Sequence, residues 1–367
     1  LVISKGILSE FSVASHGEGK TNLKISVPEN GKCYLKLIYY LKKEMPLLEE
    51  NHILGFDEIE VSQKDAKCQL AEKWLEKTAT DSELQVNEDD TQIHIKGREF
   101  AYTIDRRTAL FTEMKFAGRE YLNHPMELNI WRAPTDNDMY IKAEWKKAHY
   151  DKAYTRAYTT EVVQGKHGVK IASHASVVAE TVQKILDVTI TWKIDASGKI
   201  DADIEATKDG EFPDLPRFGV RMFLDKKLSD ARYFGMGPQE SYRDKHQAAS
   251  HGLYRANVRD LHEDYIRPQE NGSHYDCEYV ELNNSRYGMA AFSESTFSFN
   301  ASYYTQEELE KKTHNYELAE SDSVVLCVDY ALNGIGSNSC GPVVLDQYRF
   351  NDVLFRFQFT LVPYVKG

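Results

Sequence analysis

The chain has 367 residues, of which 41% are hydrophobic and 28% are charged, a composition typical of globular domains. The 45 lysines and arginines against 57 aspartates and glutamates give a formal charge of −12, which argues against a nucleic-acid partner. The sequence holds no apolar run long enough to cross a bilayer as a helix, so we expect no membrane span.

In chain order, alternating apolar and polar residues predict strands, most clearly at 23–27, 186–194, 200–206 and 355–361. The second and third are joined by a Ser197-Gly198 turn, which predicts an antiparallel hairpin with one apolar face. A further strand is predicted at 324–331. Because strands and helices do not alternate along the chain, we expect an all-β fold of antiparallel sheets.

Helical signals are few. Residues 71–78 could form a short helix, and 140–150 have helical composition. Asp136, Asn137 and Asp138 precede the latter as candidate N-caps. The segment from Thr305 to Glu308 has the pattern of a capping box, which predicts a helix through Lys312.

Composition divides the chain into three parts. Residues 1–62 form a small strand-rich block, 63–84 form a polar linker rich in lysine and glutamate, and 85–367 form one large β domain. The chain begins at Leu1 with neither an initiator methionine nor a signal pattern. Its opening residues already alternate like a strand, so we expect the natural protein to begin further upstream.

The cysteines and histidines show no metal-binding pattern. No Cys-x-x-Cys and no His-Glu-x-x-His occurs among five cysteines and twelve histidines, so we expect no metal site. An odd number of widely spaced thiols predicts a reduced, intracellular protein. The cysteines are Cys33, Cys68, Cys277, Cys327 and Cys340.

Two segments with a Pro-Gln-Glu sequence after a turn could carry chemistry. Glu240 and Glu270 could be the acid and the nucleophile of a glycosidase. We favour the alternative that each carboxylate caps loop amides or pairs with an arginine, and Arg243 and Arg267 are neighbours in sequence. The separation of the two carboxyl groups, which decides between these readings, is not visible in the sequence.

A third segment, 333–342, contains Gly-Ile-Gly followed by Ser-Asn-Ser-Cys. A Gly-x-Gly can bind phosphate before a helix, but Pro342 disfavours a helix here, and we interpret the segment as a long loop between strands. Cys340 could act as a nucleophile, but the sequence implies no base near it, and an unactivated thiol is inert at neutral pH.

Five segments occur together in one order: 129–138, 215–219, 235–242, 268–272 and 334–340. In this order and spacing they resemble the last, or small-chain, domain of the bacterial β-galactosidases of glycoside hydrolase family 2. The resemblance covers roughly 85–365, and 1–62 resemble the trailing half of the immunoglobulin-like domain that precedes it. It implies a large antiparallel supersandwich similar to galactose mutarotase, after a partial immunoglobulin-like β-sandwich.

The resemblance also implies where the chemistry lies. In this family the catalytic glutamates and a magnesium site belong to a TIM barrel, which would lie upstream of Leu1, so we expect no catalytic residue, metal or cofactor here. Glu240, Glu270 and Asn271 match family motifs that are not the catalytic ones and remain loop candidates. Cys340, close to Asn338, stands where the family usually places a tryptophan against the sugar or aglycone. A cysteine offers less stacking area, so we expect weaker aglycone contact.

The function implied by the resemblance is that of a non-catalytic module of a β-galactosidase acting on terminal β-D-galactosides such as lactose. The module would complete the active-site pocket and the homo-oligomer together with a catalytic barrel or a large subunit, in the cytoplasm. Two alternatives remain open. One is a freestanding carbohydrate-binding module, and the other is a mutarotase-like epimerase that needs a histidine and a carboxylate close together.

Overall fold

The computed structural model describes residues 2–8, 12–29, 31–64, 70–72, 84–181 and 184–366. The chain forms two compact units, Leu1–Cys68 and Gln69–Gly367. In the described residues, no helix is both long and apolar enough to cross a membrane.

The first unit contains an antiparallel ribbon of β1 (Gly31–Tyr40) and β2 (Ile53–Lys64). The strand predicted at 23–27 is wrong, because these residues have no regular structure and pair with no described strand. Alternation becomes a strand only where a neighbour completes the hydrogen-bond ladder. No apolar side chain is buried in the described part of this unit. Its immunoglobulin-like character stays a prediction.

The predicted linker, 63–84, begins inside a strand, because residues 63–64 complete β2. Residues 70–72 are helical, and most of the remaining linker lies outside the described residues. Most of the helix predicted at 71–78 also lies outside the described residues.

The described residues of the second unit form two antiparallel sheets. The smaller has five strands: β3 (Gln85–Glu88), β4 (Gln92–Lys96), β5 (Phe100–Asp105), β6 (Leu110–Phe116) and β7 (Arg119–Glu120). The larger has twelve strands: β8 (Leu122–Asn129), β9 (Tyr154–Gly165), β10 (Gly168–Val178), β11 (Leu186–Asp195), β12 (Ile200–Lys208), β13 (Arg217–Asp225), β14 (Asp230–Gly237), β15 (Ser250–Asn257), β16 (Ser273–Asn283), β17 (Tyr287–Ser302), β18 (Ser323–Leu332) and β19 (Leu354–Val365). The all-β prediction is confirmed.

The predicted hairpin is formed by β11 and β12, which pair from Leu186 opposite Lys208 to Ile194 opposite Ile200. Apolar side chains on both strands are buried, while their polar neighbours, apart from the buried Lys208, are more exposed. On β19, the aromatic face predicted at 355–361 is likewise buried. These alternating faces pack into one continuous hydrophobic core.

The long strand β17 divides the large sheet into two branches. Its first part, Tyr287–Phe292, pairs with β19, whereas Ser298–Ser302 pair with β18. Strand β18 continues the second branch to β13 and β8. Between the two parts, Glu294 and Ser295 are exposed, so the sheet opens at this fork.

The described residues include α1 (Ile141–Lys147) and α2 (Gln306–Lys311), which confirms the helices predicted at 140–150 and after Thr305. The Thr305 hydroxyl accepts a hydrogen bond from the Glu308 amide at 3.1 Å, which is the N-cap half of the predicted capping box. The Glu308 carboxylate instead accepts from the Ala319 amide at 2.8 Å.

Candidate functional site

Four of the five segments singled out in the sequence meet around buried charges in the second unit. At the centre, Arg217 at the start of β13 is fully buried. Its Nη1 donates to Glu270 Oε1 at 2.8 Å, and its Nη2 donates to Asp329 Oδ2 at 2.6 Å. A buried guanidinium requires such partners, because an uncompensated charge inside a protein is very costly.

The three charges form a triad with one cation and two carboxyl groups. Burial raises the pKa of Asp329 to about 6, although Arg217 favours the ionised carboxylate. Arg217 reaches Asp329 through two donors, Nε at 3.1 Å and Nη2, which is the bidentate geometry that planar guanidinium groups prefer.

The first segment joins this triad through its backbone. The Ala133 amide donates to Glu270 Oε2 at 3.2 Å, and the Glu270 amide donates to the Ala133 carbonyl at 3.0 Å. Glu270 therefore caps a loop amide and pairs with Arg217, not with its sequence neighbour Arg267.

Arg132 connects these buried charges to the loop at 333–342 through hydrogen bonds. Its Nη2 donates to Asp138 Oδ1 at 2.6 Å and to the Gly334 carbonyl at 3.1 Å, while Nη1 donates to the Asn333 carbonyl. Asp136, Asn137 and Asp138 were expected as caps of α1, and this expectation is wrong, because the N-cap of α1 is Tyr140. Asp136–Asp138 form their own short 3-10 turn, in which the Asp138 carboxylate accepts from the Thr135 amide at 2.9 Å.

Glu240 lies in a separate cluster of donors. Lys245 and Tyr265 donate to its carboxylate, as do the Gly272 amide at 2.9 Å and the Tyr242 hydroxyl at 3.1 Å. Burial opposes ionisation of Glu240, yet these donors lower its pKa below the usual range.

The two glutamates are therefore held as structural carboxylates. A general acid must carry a proton near neutral pH, which the lowered pKa of Glu240 opposes. Glu270 is 3% exposed and committed to Arg217 and Ala133. Arg243, the sequence neighbour of Glu240, instead donates to the Arg349 carbonyl at 2.9 Å.

Asn271 follows Glu270 and is 5% exposed. Its Oδ1 accepts from the Glu263 amide at 3.0 Å, and its Nδ2 donates to the Gln269 carbonyl at 2.9 Å. The Asn271 carbonyl accepts from Asn300 on β17 at 2.6 Å. Asn271 thus fixes the shape of its loop.

The base of the 333–342 loop is held by a side chain of the segment 129–138 and by Asp244, two residues after the segment 235–242. Asp244 accepts from the Ile335 and Gly336 amides at 2.9 and 2.7 Å. Asn137 donates to the Gly336 carbonyl at 2.6 Å. Gly336 has a φ of +67°, a left-handed conformation that glycine adopts without strain. The loop therefore leaves β18 in one fixed direction.

The tip of this loop differs from its base. Cys340 is exposed and Asn338 is half-buried. The turn is closed by the Gly341 amide, which donates to the Ser337 carbonyl at 2.8 Å. The tip presents a small thiol to the outside.

Sequence reasoning identified the segments but missed most of the groups that connect them: Arg132, Arg217, Asp244 and Asp329. Arg217 could have been noticed as a charge at the start of a largely apolar strand, which also contains Arg221 and Asp225. Its partner Asp329 lies 112 residues away, and local patterns carry no signal for that distance.

Histidine, cysteine and acidic side chains are the usual protein ligands of metal ions. The described residues contain no group of three or more histidine, cysteine or acidic side chains placed to hold an ion. No metal-dependent step is assigned to this chain.

Fold and site together define a β domain in which buried ion pairs fix the base of one exposed loop. The family described as beta galactosidase small chain matches residues 96–361, and the chain belongs to this family.

The relatives that this chain matches are considerably longer than the chain itself. The chain is 41% identical over 363 residues to a beta-galactosidase of Actinobacillus pleuropneumoniae. The alignment covers 98% of this chain and 35% of the relative. The chain is 32% identical over 326 residues to a beta-galactosidase of Staphylococcus xylosus, and that alignment covers 89% of this chain and 32% of the relative. The chain thus spans about a third of the length of these relatives. Among solved structures, galactose 1-epimerase from Lactobacillus acidophilus NCFM matches with a TM-score of 0.42 and 9% identity, covering 79% of this chain and 100% of the other.

Proposed function

We propose that this chain is the non-catalytic part of a family 2 β-galactosidase, and that its 333–342 loop completes the sugar pocket of a catalytic barrel. The substrates are terminal β-D-galactosides such as lactose. The observation that carries the proposal is the contrast within one loop, where Asp244 and Arg132 hold the base and Cys340 is exposed at the tip. A loop built in this way can place a side chain at a fixed distance from its domain.

The contacts of the glutamates support a non-catalytic role. Retaining hydrolysis needs a proton donor and a free carboxylate about 5 Å apart, with the sugar between them. Glu240 and Glu270 each receive several hydrogen bonds from the protein itself. The barrel would supply the reacting carboxylates, and the loop would contribute contact with the aglycone through Cys340.

Exposed apolar side chains near this loop support a docking surface for the barrel. Val343 and Leu345, just after the loop, are 71% and 62% exposed. Met139 and Tyr140, close in sequence to Asn137, are also exposed. Large apolar groups in one region of a surface are typical of a protein interface.

Further parts of the proposal rest on the family resemblance. These are the homo-oligomer, the cytoplasmic location and the use of Mg²⁺ by the barrel. The carbohydrate contact proposed for Cys340 and Asn338 also rests on the family resemblance.

The test is hydrolysis of a chromogenic β-galactoside by the chain alone and after addition of the remaining part of a relative's enzyme. We expect no turnover alone and activity in the mixture. Cys340→Trp should then lower KM for substrates with a bulky aglycone, since an indole offers more contact area. Cys33→Ala, which changes a thiol in the other unit, serves as the matched control. Turnover by the chain alone, or an unchanged KM in Cys340→Trp, would contradict the proposal.

A further inference from the structure

A cleft opens in the second unit where β17 passes from one branch of the sheet to the other. Its volume is about 170 Å³. Half-buried side chains from four chain segments line it: Arg243, Tyr275, Asp276, Thr296 and Tyr330. Cys340 is not among the lining residues, so the cleft is separate from the loop tip.

The two tyrosine rings in the cleft are held by stacking on other rings. Tyr275 is stacked on His246, with centroids 5.6 Å apart and planes inclined by 28°. Tyr330 is stacked on Phe355 of β19 at 5.1 Å and 16°. Rings fixed in this way offer apolar contact at a low cost in conformational entropy.

The charged groups in the cleft are also held in place. Arg243 donates to the Arg349 carbonyl at 2.9 Å, and Asp276 pairs with His251 at 2.8 Å. Asp276 has a φ of +53°, a left-handed conformation that is uncommon for a residue other than glycine. Strained backbone of this kind concentrates at binding sites, where the surrounding structure maintains it.

The wall of the cleft contains a buried polar atom. Ser273 is 1% exposed, and its Oγ has no hydrogen-bond partner among the described atoms. Buried hydroxyl groups are nearly always hydrogen-bonded in folded proteins, so an unsatisfied one beside a cleft indicates a ligand or a water there.

We propose that this cleft binds one neutral pyranose sugar. Tyr275 and Tyr330 provide apolar contact for the C–H face of a sugar ring. Arg243 and Asp276 provide a donor and an acceptor for neighbouring hydroxyl groups. Because both signs of charge line the cleft, a neutral polyol fits better than an acidic ligand.

This site goes beyond the proposed function, since binding here requires neither the barrel nor the Cys340 loop. The full chain is titrated with methyl β-D-galactopyranoside and with D-galacturonate, and binding is followed by calorimetry and saturation-transfer NMR. The cleft variants are Tyr275→Leu and Thr296→Val, the latter keeping the side-chain shape while removing its hydroxyl. The matched control is Tyr158→Leu, at an exposed position on β9, and Cys340→Ala reports separately whether the sugar binds at the loop.

We expect saturable binding of the neutral glycoside, weakened about tenfold in Tyr275→Leu and about fivefold in Thr296→Val. Tyr158→Leu should bind as the unaltered chain does. Circular dichroism shows whether each variant is folded. Thr296→Val still tests the site if Tyr275→Leu does not fold. Absence of saturable binding, binding of galacturonate alone, or loss only in Cys340→Ala would each overturn the proposal. The last result would place the sugar at the loop, and hydrolysis in the reconstituted enzyme would still test the proposed function separately.

Discussion

Arg217 and Glu270 are 53 residues apart in the chain, yet the Arg217 Nη1 lies 2.8 Å from Glu270 Oε1 in the protein interior. Glu270 also accepts from the Ala133 amide, one residue after Arg132, which binds the loop carbonyls of Asn333 and Gly334. One ion pair thus connects the start of β13 with the support of the Cys340 loop.

Removing the cation from this pair should destabilise the second unit strongly. Arg217→Met leaves the Glu270 and Asp329 carboxyl groups buried without their partner. We expect the free energy of unfolding to fall by about 3–5 kcal/mol, measured by urea unfolding. Arg356→Met, which removes an exposed partner of Asp203, should change it little. Equal changes in the free energy of unfolding of the two variants would show that the buried triad contributes no more to stability than an exposed ion pair.

The anchor of the 333–342 loop can be tested through hydrogen exchange. Asp244→Ala removes the acceptor of the Ile335 and Gly336 amides, and hydrogen bonds to a charged acceptor are comparatively strong. We expect exchange of these two amides to accelerate about tenfold or more, with little change in β13. Asp346→Ala, at an exposed position beyond the loop, is the control. Unchanged protection would mean that other contacts hold the loop base.

Acid should weaken the fold through His274. This side chain is 1% exposed, and burial lowers its pKa from 6.5 to about 4, although its Nδ1 contacts the Met236 carbonyl. Between these pH values the unfolded chain binds a proton that the folded chain does not. The stability from neutral His274 is therefore complete above pH 6.5 and is lost as the pH falls to about 4, at a cost of about 3 kcal/mol.

The measurement for His274 is the free energy of unfolding from about pH 7 to pH 4, for the unaltered chain and for His274→Phe. Asp329, with its pKa raised to about 6, has the opposite sign, because its contribution is present at low pH and lost as the pH rises through 6. The difference between the two proteins at each pH isolates His274. A difference that does not vary with pH would contradict the prediction.

The first unit should be less stable than the second. It consists of a two-stranded ribbon and irregular segments, and the described part has no buried apolar side chain. Isolated two-stranded ribbons are marginally stable in water. Amides of β1 and β2 should therefore exchange much faster than those of β11 and β12, measured by mass spectrometry. Equal protection in the two units would disprove this.

The sequence was informative wherever a local rule decides the outcome. Alternation identified the hairpin of β11 and β12, and the capping pattern identified the start of α2 at Thr305. Alternation failed to predict the structure at 23–27, because a strand forms only where a neighbouring strand pairs with it. Arg267 was considered for Glu270 on sequence distance alone, whereas the turn directs this carboxylate toward Arg217.

The site required knowledge of the sheet order. The cleft exists because different parts of β17 pair with β18 and β19, and no local pattern specifies partners so distant in the chain. Its lining residues come from β16, β17, β18 and the turn after β14. Only the resemblance to a family grouped the segments before the structure did.

The place of β19 has a consequence for biosynthesis. This strand lies between β12 and β17, and it follows all other described strands in the chain. While a ribosome is still making the preceding residues, β9 to β12 and β14 to β18 have no hydrogen-bonded connection to each other within the sheet. The two parts of the sheet can join only after residues of β19 have left the exit tunnel. A chain stalled before that point would expose two long strand edges at once, and such edges are the surfaces that chaperones protect from aggregation.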